Sequence, residues 1–157
     1  MGSEPELPDA FRVIEAWGFE YKSLITWVKM SRPGVPRIGL GFHARACTEH
    51  LLIATRGNPG APAPSERPNG VFFCGVGEHS AKPEYQYDIA EGYGGPYLEL
   101  FHRPRDGMFA PREGWRFLGD AVDGLDIREA LVGLASREGL TGSYGASSAQ
   151  VGARRKG

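Results

Sequence analysis

Charged residues stand next to predicted secondary-structure elements at points where α/β proteins commonly bind ligands. Lys82 lies at the start of a short helix predicted at residues 84–91. A helix start offers free backbone N–H groups and a positive dipole end, so a lysine there favours an anion such as a carboxylate. Arg103 and Asp106 follow a strand predicted at residues 97–101. Since ligands of α/β sheets bind beyond the carboxyl ends of strands, these two side chains are candidates for polar contacts with a ligand.

The elements that must position these residues are predicted from apolar patterning. Strands are predicted where apolar residues cluster, at residues 21–29, 50–55, 71–76 and 97–101. Helices are predicted at residues 8–17, 84–91 and 126–139, and the last begins with Asp126 and Glu129 at capping-box-like spacing. Irregular stretches or surface loops are predicted at residues 31–49, 58–70 and 102–114. Strands that alternate with helices indicate an α/β sheet.

The composition is that of a globular protein without a strong charge imbalance. Apolar residues make up 41% and charged residues 24% of the 157 residues, which allows one domain with a core. Eighteen Lys and Arg face nineteen Asp and Glu, so a nucleic-acid partner would have to bind a local basic patch.

The two cysteines, Cys47 and Cys74, fit no zinc signature, and no metal site is predicted. No apolar run approaches the roughly 20 residues needed to cross a bilayer, and residues 1–11 show no signal pattern. The expectation is a cytoplasmic protein without a membrane partner.

Several segments, in this order, resemble the adenine-N6 methyltransferase family that includes the eukaryotic messenger-RNA adenosine methyltransferases and many bacterial and phage relatives. They are WVK at 27–29, GLGFHARACTEHLLIATRGNP at 39–59, HSAKPE at 79–84, YLELFHRPRDG at 97–107 and LGDAVDG at 118–124. The resemblance covers about residues 8–124. It implies a Rossmann-like S-adenosylmethionine-dependent methyltransferase fold, with a partial methyltransferase domain at residues 1–140. Residues 141–157 are poor in apolar residues and are predicted to be a disordered C-terminal tail.

The resemblance also implies a cofactor, S-adenosyl-L-methionine, and residues that bind it. Lys82 matches the lysine that binds the methionine carboxylate, and Arg103 and Asp106 match positions that contact the ribose. Asp120 and Ala121 match a pair that helps hold the adenine, although Ala121 cannot make the hydrogen bond. The alternatives are that Lys82 is a solvated residue at a helix start and that Arg103 is a surface ion-pair residue.

Three further residues have an open assignment. Arg45 and Glu49 line the pocket for the target base, or they form an ion pair that braces the loop at residues 39–41. Glu99 lines the site, or it is a buried strand residue that pairs with an arginine. The implied substrate is the N6 amine of adenine in DNA or RNA, so nucleic acid is the expected partner.

The catalytic tetrapeptide of the resembled family, Asp/Asn-Pro-Pro followed by an aromatic residue, is not found. Only 26 residues precede Trp27, and neither they nor later residues contain it. No catalytic residue is therefore assigned, and the fold is expected to lack the strand that carries this tetrapeptide. Three alternatives stay open: a fragment of a longer enzyme, a non-catalytic pseudo-methyltransferase that serves as a nucleic-acid or partner-binding scaffold, and a chain completed by a second methyltransferase-like subunit.

Overall fold

The computed structural model describes residues 6–41, 43–77, 81–103 and 112–139. Their elements are mixed α and β and form two units, the first ending at Gly95 and the second beginning at Pro96. The predicted tail at residues 141–157 lies outside the described residues, and the predicted domain limit near residue 140 stays a prediction.

The first unit is organised around one long strand. Its elements are α1 (Leu7–Ala16), β1 (Glu20–Arg32), β2 (Val35–Pro36), β3 (Thr48–Thr55), β4 (Val71–Gly75) and α2 (Tyr85–Glu91). Strand β1 pairs with β3 in antiparallel orientation and with β4 in parallel orientation. Because residues 26–28 pair with both, β3 and β4 must lie on opposite edges of β1.

The predicted elements of this unit are confirmed, and the predicted irregular stretch at residues 31–49 is partly wrong. Strand β1 extends to Arg32 and returns as a short hairpin through β2, and β3 already begins at Thr48. Proline and glycine in SRPGVP obscured the hairpin because they weaken the signal of a strand while they favour its turn.

The core of the sheet lies on one face of β1. Ile25 and Trp27 are only 2% and 1% exposed. The indole Nε1 of Trp27 donates to the carbonyl oxygen of Cys74 at 3.0 Å, and its ring stacks on Phe72 at 6.5 Å. Phe72 in turn meets the edge of Tyr85 at 5.0 Å, so this apolar row fastens α2 to the unit.

The second unit contains β5 (Tyr97–Leu100), β6 (Trp115–Leu118), α3 (Asp120–Asp123) and α4 (Ile127–Arg137). Strands β5 and β6 are parallel, with Leu100 opposite Leu118. Strand β6 was not predicted, because it directly follows the stretch rich in Arg, Pro and Gly at residues 102–114 and Arg116 interrupts its apolar residues. The predicted start of α4 is confirmed, since Asp126 Oδ1 accepts a hydrogen bond from the backbone N–H of Arg128 at 2.9 Å.

Candidate functional site

A carboxylate and two lysines from distant parts of the sequence meet on the first unit. Glu49 comes from β3, Lys29 from β1, and Lys82 precedes α2. Lys29 Nζ lies 3.2 Å from Oε1 of Glu49, while Lys82 Nζ donates to the other oxygen, Oε2. Each ammonium group therefore has its own oxygen on one shared carboxylate.

The sheet register explains why these groups converge. Trp27 lies opposite Glu49 on one edge and opposite Phe72 on the other, so the three side chains form a row on one face. Lys29 follows two residues after Trp27 and thus projects from the same face. Lys82 reaches this face because α2, which begins three residues later, packs its Tyr85 against Phe72. Pro83, the residue after Lys82, is buried.

The cluster is partly shielded from water, which sets its electrostatics. The side chain of Glu49 is 13% exposed, against 21% for Lys29 and 32% for Lys82. Burial raises the pKa of Glu49, but hydrogen bonds and charges from Lys82 and Lys29 outweigh it, and the pKa lies below its ordinary value. At neutral pH the carboxylate is ionised and serves as an acceptor.

A cavity of about 360 Å³ opens beside this cluster. It is lined by Trp27, Lys29, Arg37, Gly39, Glu49, Val76 and Gly77. Among the described residues, its charged lining consists of Lys29, Arg37 and Glu49. The two cations outnumber the one anion in this set, which favours an anionic ligand.

The loop along this cavity depends on glycine. The N–H of Gly39 donates to the carbonyl oxygen of Ala46 at 2.8 Å. A Cβ on Gly39 would lie 2.8 Å from that oxygen, and a Cβ on Gly41 would lie 1.9 Å from the carbonyl oxygen of Ala44. The Gly-x-Gly sequence thus allows two backbone segments to approach closely, which other residue types would prevent.

Arg45 follows this loop and is exposed. The alternative of an Arg45–Glu49 ion pair is wrong: among the described residues, Glu49 pairs with Lys29 and Lys82. Lys29 and Lys82 are the partners because strand pairing and α2 packing bring them over Glu49, whereas Arg45 belongs to the exposed connection before β3. Whether Arg45 contacts a substrate stays a prediction.

A larger cavity, of about 440 Å³, lies near the other end of β1. Ser23, Ile25 and Ile53 form part of its floor, and residues 57–62 contribute to its wall. None of the predicted site residues that the structure describes lines it, so the smaller cavity is the one associated with the candidate site.

In the second unit, parallel pairing brings two predicted residues to adjacent strand ends. Arg103 follows β5 and Asp120 follows β6, and both are exposed. The N–H of His102 donates to the carbonyl oxygen of Leu118 at 3.0 Å, which continues the pairing beyond β5. Gly119 then passes so close that a Cβ there would lie 2.8 Å from the carbonyl oxygen of His102.

A buried histidine supports this strand end. His102 is 6% exposed, and its Nδ1 lies 3.0 Å from Oε2 of Glu99. Its ring also packs on Phe117 at 4.5 Å. Phe101, just before it, has a positive φ of 61°, a conformation that non-glycine residues rarely adopt. The turn from β5 into Arg103 is thereby held by side chains on both strands.

Apart from Arg45, the predicted site residues fall into three groups. Lys82 and Glu49, assigned to cofactor and substrate, are in direct contact, while Arg103 and Asp120 share the strand ends of the other unit. Asp106 lies outside the described residues. Lys29 was missed, although its position two residues after an apolar tryptophan on a predicted strand indicated a shared face. The combination of Lys82 with Arg103 in one site stays a prediction.

Comparison with known proteins complements this geometry. The family model described as MT-A70 matches residues 4–121, about three quarters of the chain. No curated protein matches the chain. Within the ranges that the structure describes, no group of three His, Cys, Asp or Glu residues is arranged to hold a metal ion, and no helix has the length and apolar character needed to cross a membrane.

Proposed function

Since the chain belongs to the MT-A70 family of methyltransferases, we propose that it binds S-adenosyl-L-methionine and forms the cofactor-binding part of an enzyme that methylates N6 of adenine in DNA or RNA. The observation that carries this proposal is the cluster of Lys82, Glu49 and Lys29 beside a cation-rich cavity. The proposed fold is the Rossmann-like arrangement of this family.

Lys82 suits the methionine carboxylate of the cofactor. Its ammonium group is one-third exposed, so a ligand can reach it, and Glu49 holds it in place before the ligand arrives. A charge-assisted hydrogen bond contributes about 1.5–3 kcal/mol, against about 0.5–1.5 kcal/mol for a neutral one. The carboxylate contact should therefore dominate the polar part of the binding free energy.

The strand ends of the second unit suit the nucleoside part of the cofactor. Arg103 and Asp120 leave neighbouring parallel strands at their carboxyl ends, where ligands of α/β sheets bind. Arg103 is a donor and Asp120 an acceptor, so together they match the hydroxyl and ring nitrogen groups of a nucleoside. Asp106 is proposed as a further ribose contact.

When bound, the cofactor supplies an electrophilic methyl group on a sulfonium, which is transferred in line without a metal. Exocyclic adenine nitrogen is a poor nucleophile because its lone pair is delocalised, so the amine hydrogens need oriented acceptors. The 157 residues contain no Asp-Pro-Pro sequence for this task. We expect the purified chain alone to leave adenine unmethylated when the N6-methyladenine content of a DNA or RNA substrate is measured by mass spectrometry.

Detectable methylation in that assay would contradict this expectation and would direct attention to Glu49 as an acceptor. Nucleic acid is the partner that the surplus of positive charge at the cavity supports. A second methyltransferase-like subunit that supplies the missing acceptors is an alternative route to an active enzyme.

Calorimetric titration with S-adenosylhomocysteine tests the cofactor site. Lys82→Ala should weaken binding by roughly tenfold to a hundredfold, since about 1.4 kcal/mol corresponds to a factor of ten. Asp106→Ala should cost less, because it leaves the carboxylate contact intact. Lys22→Ala is the matched control: this lysine is in the same unit but pairs with Glu20 at 2.6 Å, away from the cluster.

Equal binding by the parent chain and Lys82→Ala would show that the lysine is a structural partner of Glu49 and does not bind the cofactor. No binding by the parent chain would refute the cofactor proposal for this chain and would support the alternative of a non-catalytic scaffold.

A further inference from the structure

The arrangement of charges around Glu49 points to a role for Lys29 that sequence comparison did not assign. We propose that Lys29 is a positioning residue: by sharing the Glu49 carboxylate, it leaves the Lys82 ammonium available to an incoming anion. The anion is the methionine carboxylate if the proposed function holds, so this inference rests on that function for the identity of the ligand but not for the sharing itself.

The first argument is geometric. Lys29 Nζ contacts Oε1 of Glu49 and Lys82 Nζ contacts Oε2, so the two lysines do not compete for one oxygen. The bond to Lys29 remains when Lys82 turns toward a ligand. The side chain of Lys29 is 21% exposed, against 32% for Lys82. The less exposed Lys29 therefore suits the role of internal partner of Glu49, and the more exposed Lys82 suits contact with a ligand.

The second argument is the charge balance. Among the described contacts, Glu49 shares its charge between two cations, so it keeps Lys29 as a partner when Lys82 turns toward a second carboxylate. Without Lys29, Lys82 is the cation that these contacts leave to Glu49. A ligand carboxylate that takes Lys82 would then leave Glu49, which is 13% exposed, unpaired beside another negative charge. An unpaired carboxylate that is partly shielded from water is unfavourable.

A competing explanation is that Lys29 contacts the ligand itself, because it lines the same cavity as Arg37. The two explanations differ in their dependence on Glu49. If Lys29 acts through Glu49, its removal matters only while the carboxylate is present. If Lys29 binds the ligand directly, its removal matters equally when the carboxylate is replaced by an amide.

A double-mutant cycle separates these explanations. In the parent chain, Lys29→Met should weaken S-adenosylhomocysteine binding about tenfold, as expected when one charge-assisted contact loses its support. In a Glu49→Gln background, Lys29→Met should change the affinity less than about twofold, because the neutral amide needs no second cation. Lys29→Arg, which keeps the charge, should restore parent-like binding. Equal losses in both backgrounds would overturn the proposal in favour of direct contact.

A second measurement does not depend on the cofactor. Limited acylation of lysines, followed by peptide mass spectrometry, reports how available the Lys82 amine is, with Lys22 as the internal reference. Labelling of Lys82 should be highest in Glu49→Gln, intermediate in the parent and lowest in Lys29→Met, where Glu49 pairs with Lys82 alone. Unchanged labelling in Lys29→Met would overturn the proposal. The expected order without S-adenosylhomocysteine binding by any variant would support it while refuting the proposed function.

Discussion

The two units of this chain gather their candidate site residues by different means. In the first unit, Lys29, Glu49 and Lys82 come from separate segments and are joined through their side chains. In the second unit, Arg103 and Asp120 are brought to neighbouring strand ends by backbone pairing, and both side chains are exposed. The first site is thus an ion cluster that is formed without a ligand. The second, which we call the strand-end frame, consists of the paired backbone at the ends of β5 and β6 with the exposed side chains of Arg103 and Asp120.

This difference indicates where each unit is sensitive to substitution. The ion cluster depends on charge and on the packing that shields it, so changes of charge with little change of shape should affect it most. The strand-end frame depends on the close passage of Gly119 past His102, so a change of shape without a change of charge should affect it most.

The largest expected effect is that of Gly119→Val. The backbone of Gly119 is extended, so valine fits its conformation, but its Cβ would lie 2.8 Å and 3.0 Å from backbone atoms of His102. Overpacking against backbone should lower the free energy of unfolding by about 3 kcal/mol, measured by chemical denaturation. The same substitution at Gly75, on β4 of the first unit, meets no atom within 4 Å and should change stability by less than about 0.5 kcal/mol. Equal stabilities of the two variants would show that the close approach of Gly119 to His102 does not limit the size of the residue at position 119.

Glu49→Gln should have the next largest effect, because it keeps the shape and removes the charge. It leaves two partly shielded ammonium groups without their common anion and should lower the free energy of unfolding by about 1–2 kcal/mol. Glu20→Gln removes the partner of Lys22 on the same strand, where both side chains are largely exposed, and should cost less than about 0.5 kcal/mol. If both variants lose the same free energy of unfolding, the cluster stabilises the protein no more than an exposed ion pair does.

Asp126→Ala tests a feature of the second unit that is local in sequence. The carboxylate accepts from the N–H of Arg128 and caps α4, so its loss should cost about 1 kcal/mol in thermal unfolding. Arg128→Ala is the control, because the backbone donor and its bond to Asp126 remain. A cost in Arg128→Ala as large as that in Asp126→Ala would contradict capping as the cause.

The smallest effect concerns the pH dependence of stability in the first unit. The folded-state pKa of Glu49 is below its ordinary value of 4.5, so the unfolded chain takes up a proton at this residue at higher pH than the folded chain does. Its contribution is therefore fully present above about pH 4.5 and is lost as the pH falls from there through the lowered folded pKa. Urea unfolding from pH 7 to pH 3 should show a shallower decline in Glu49→Gln. Parallel curves for variant and parent would mean that Glu49 titrates alike in both states.

Prediction from sequence succeeded where the relevant pattern was local. Apolar continuity predicted a strand at residues 21–29, within the observed β1, and the capping residue Asp126 marked the start of α4. The approximate positions of Lys82 and Arg103 beside a helix and a strand end followed from the order of motifs. The short strands β2 and β6 escaped prediction because they lie within or directly after stretches rich in proline and glycine, and tertiary pairing decided their conformation.

By itself the sequence determined the family, the alternation of strands and helices, and the residue types available for a cofactor. It also supplied the glycines without which the loop at residues 39–41 and the turn at Gly119 could not pass so close to neighbouring backbone. Only the tertiary structure decided that Glu49 pairs with Lys29 and Lys82 instead of Arg45. The reason is physical: the partner of a charge is set by strand register and helix packing, which bring together residues 20 and 33 positions apart, and neither distance nor shielding can be read from spacing along the chain.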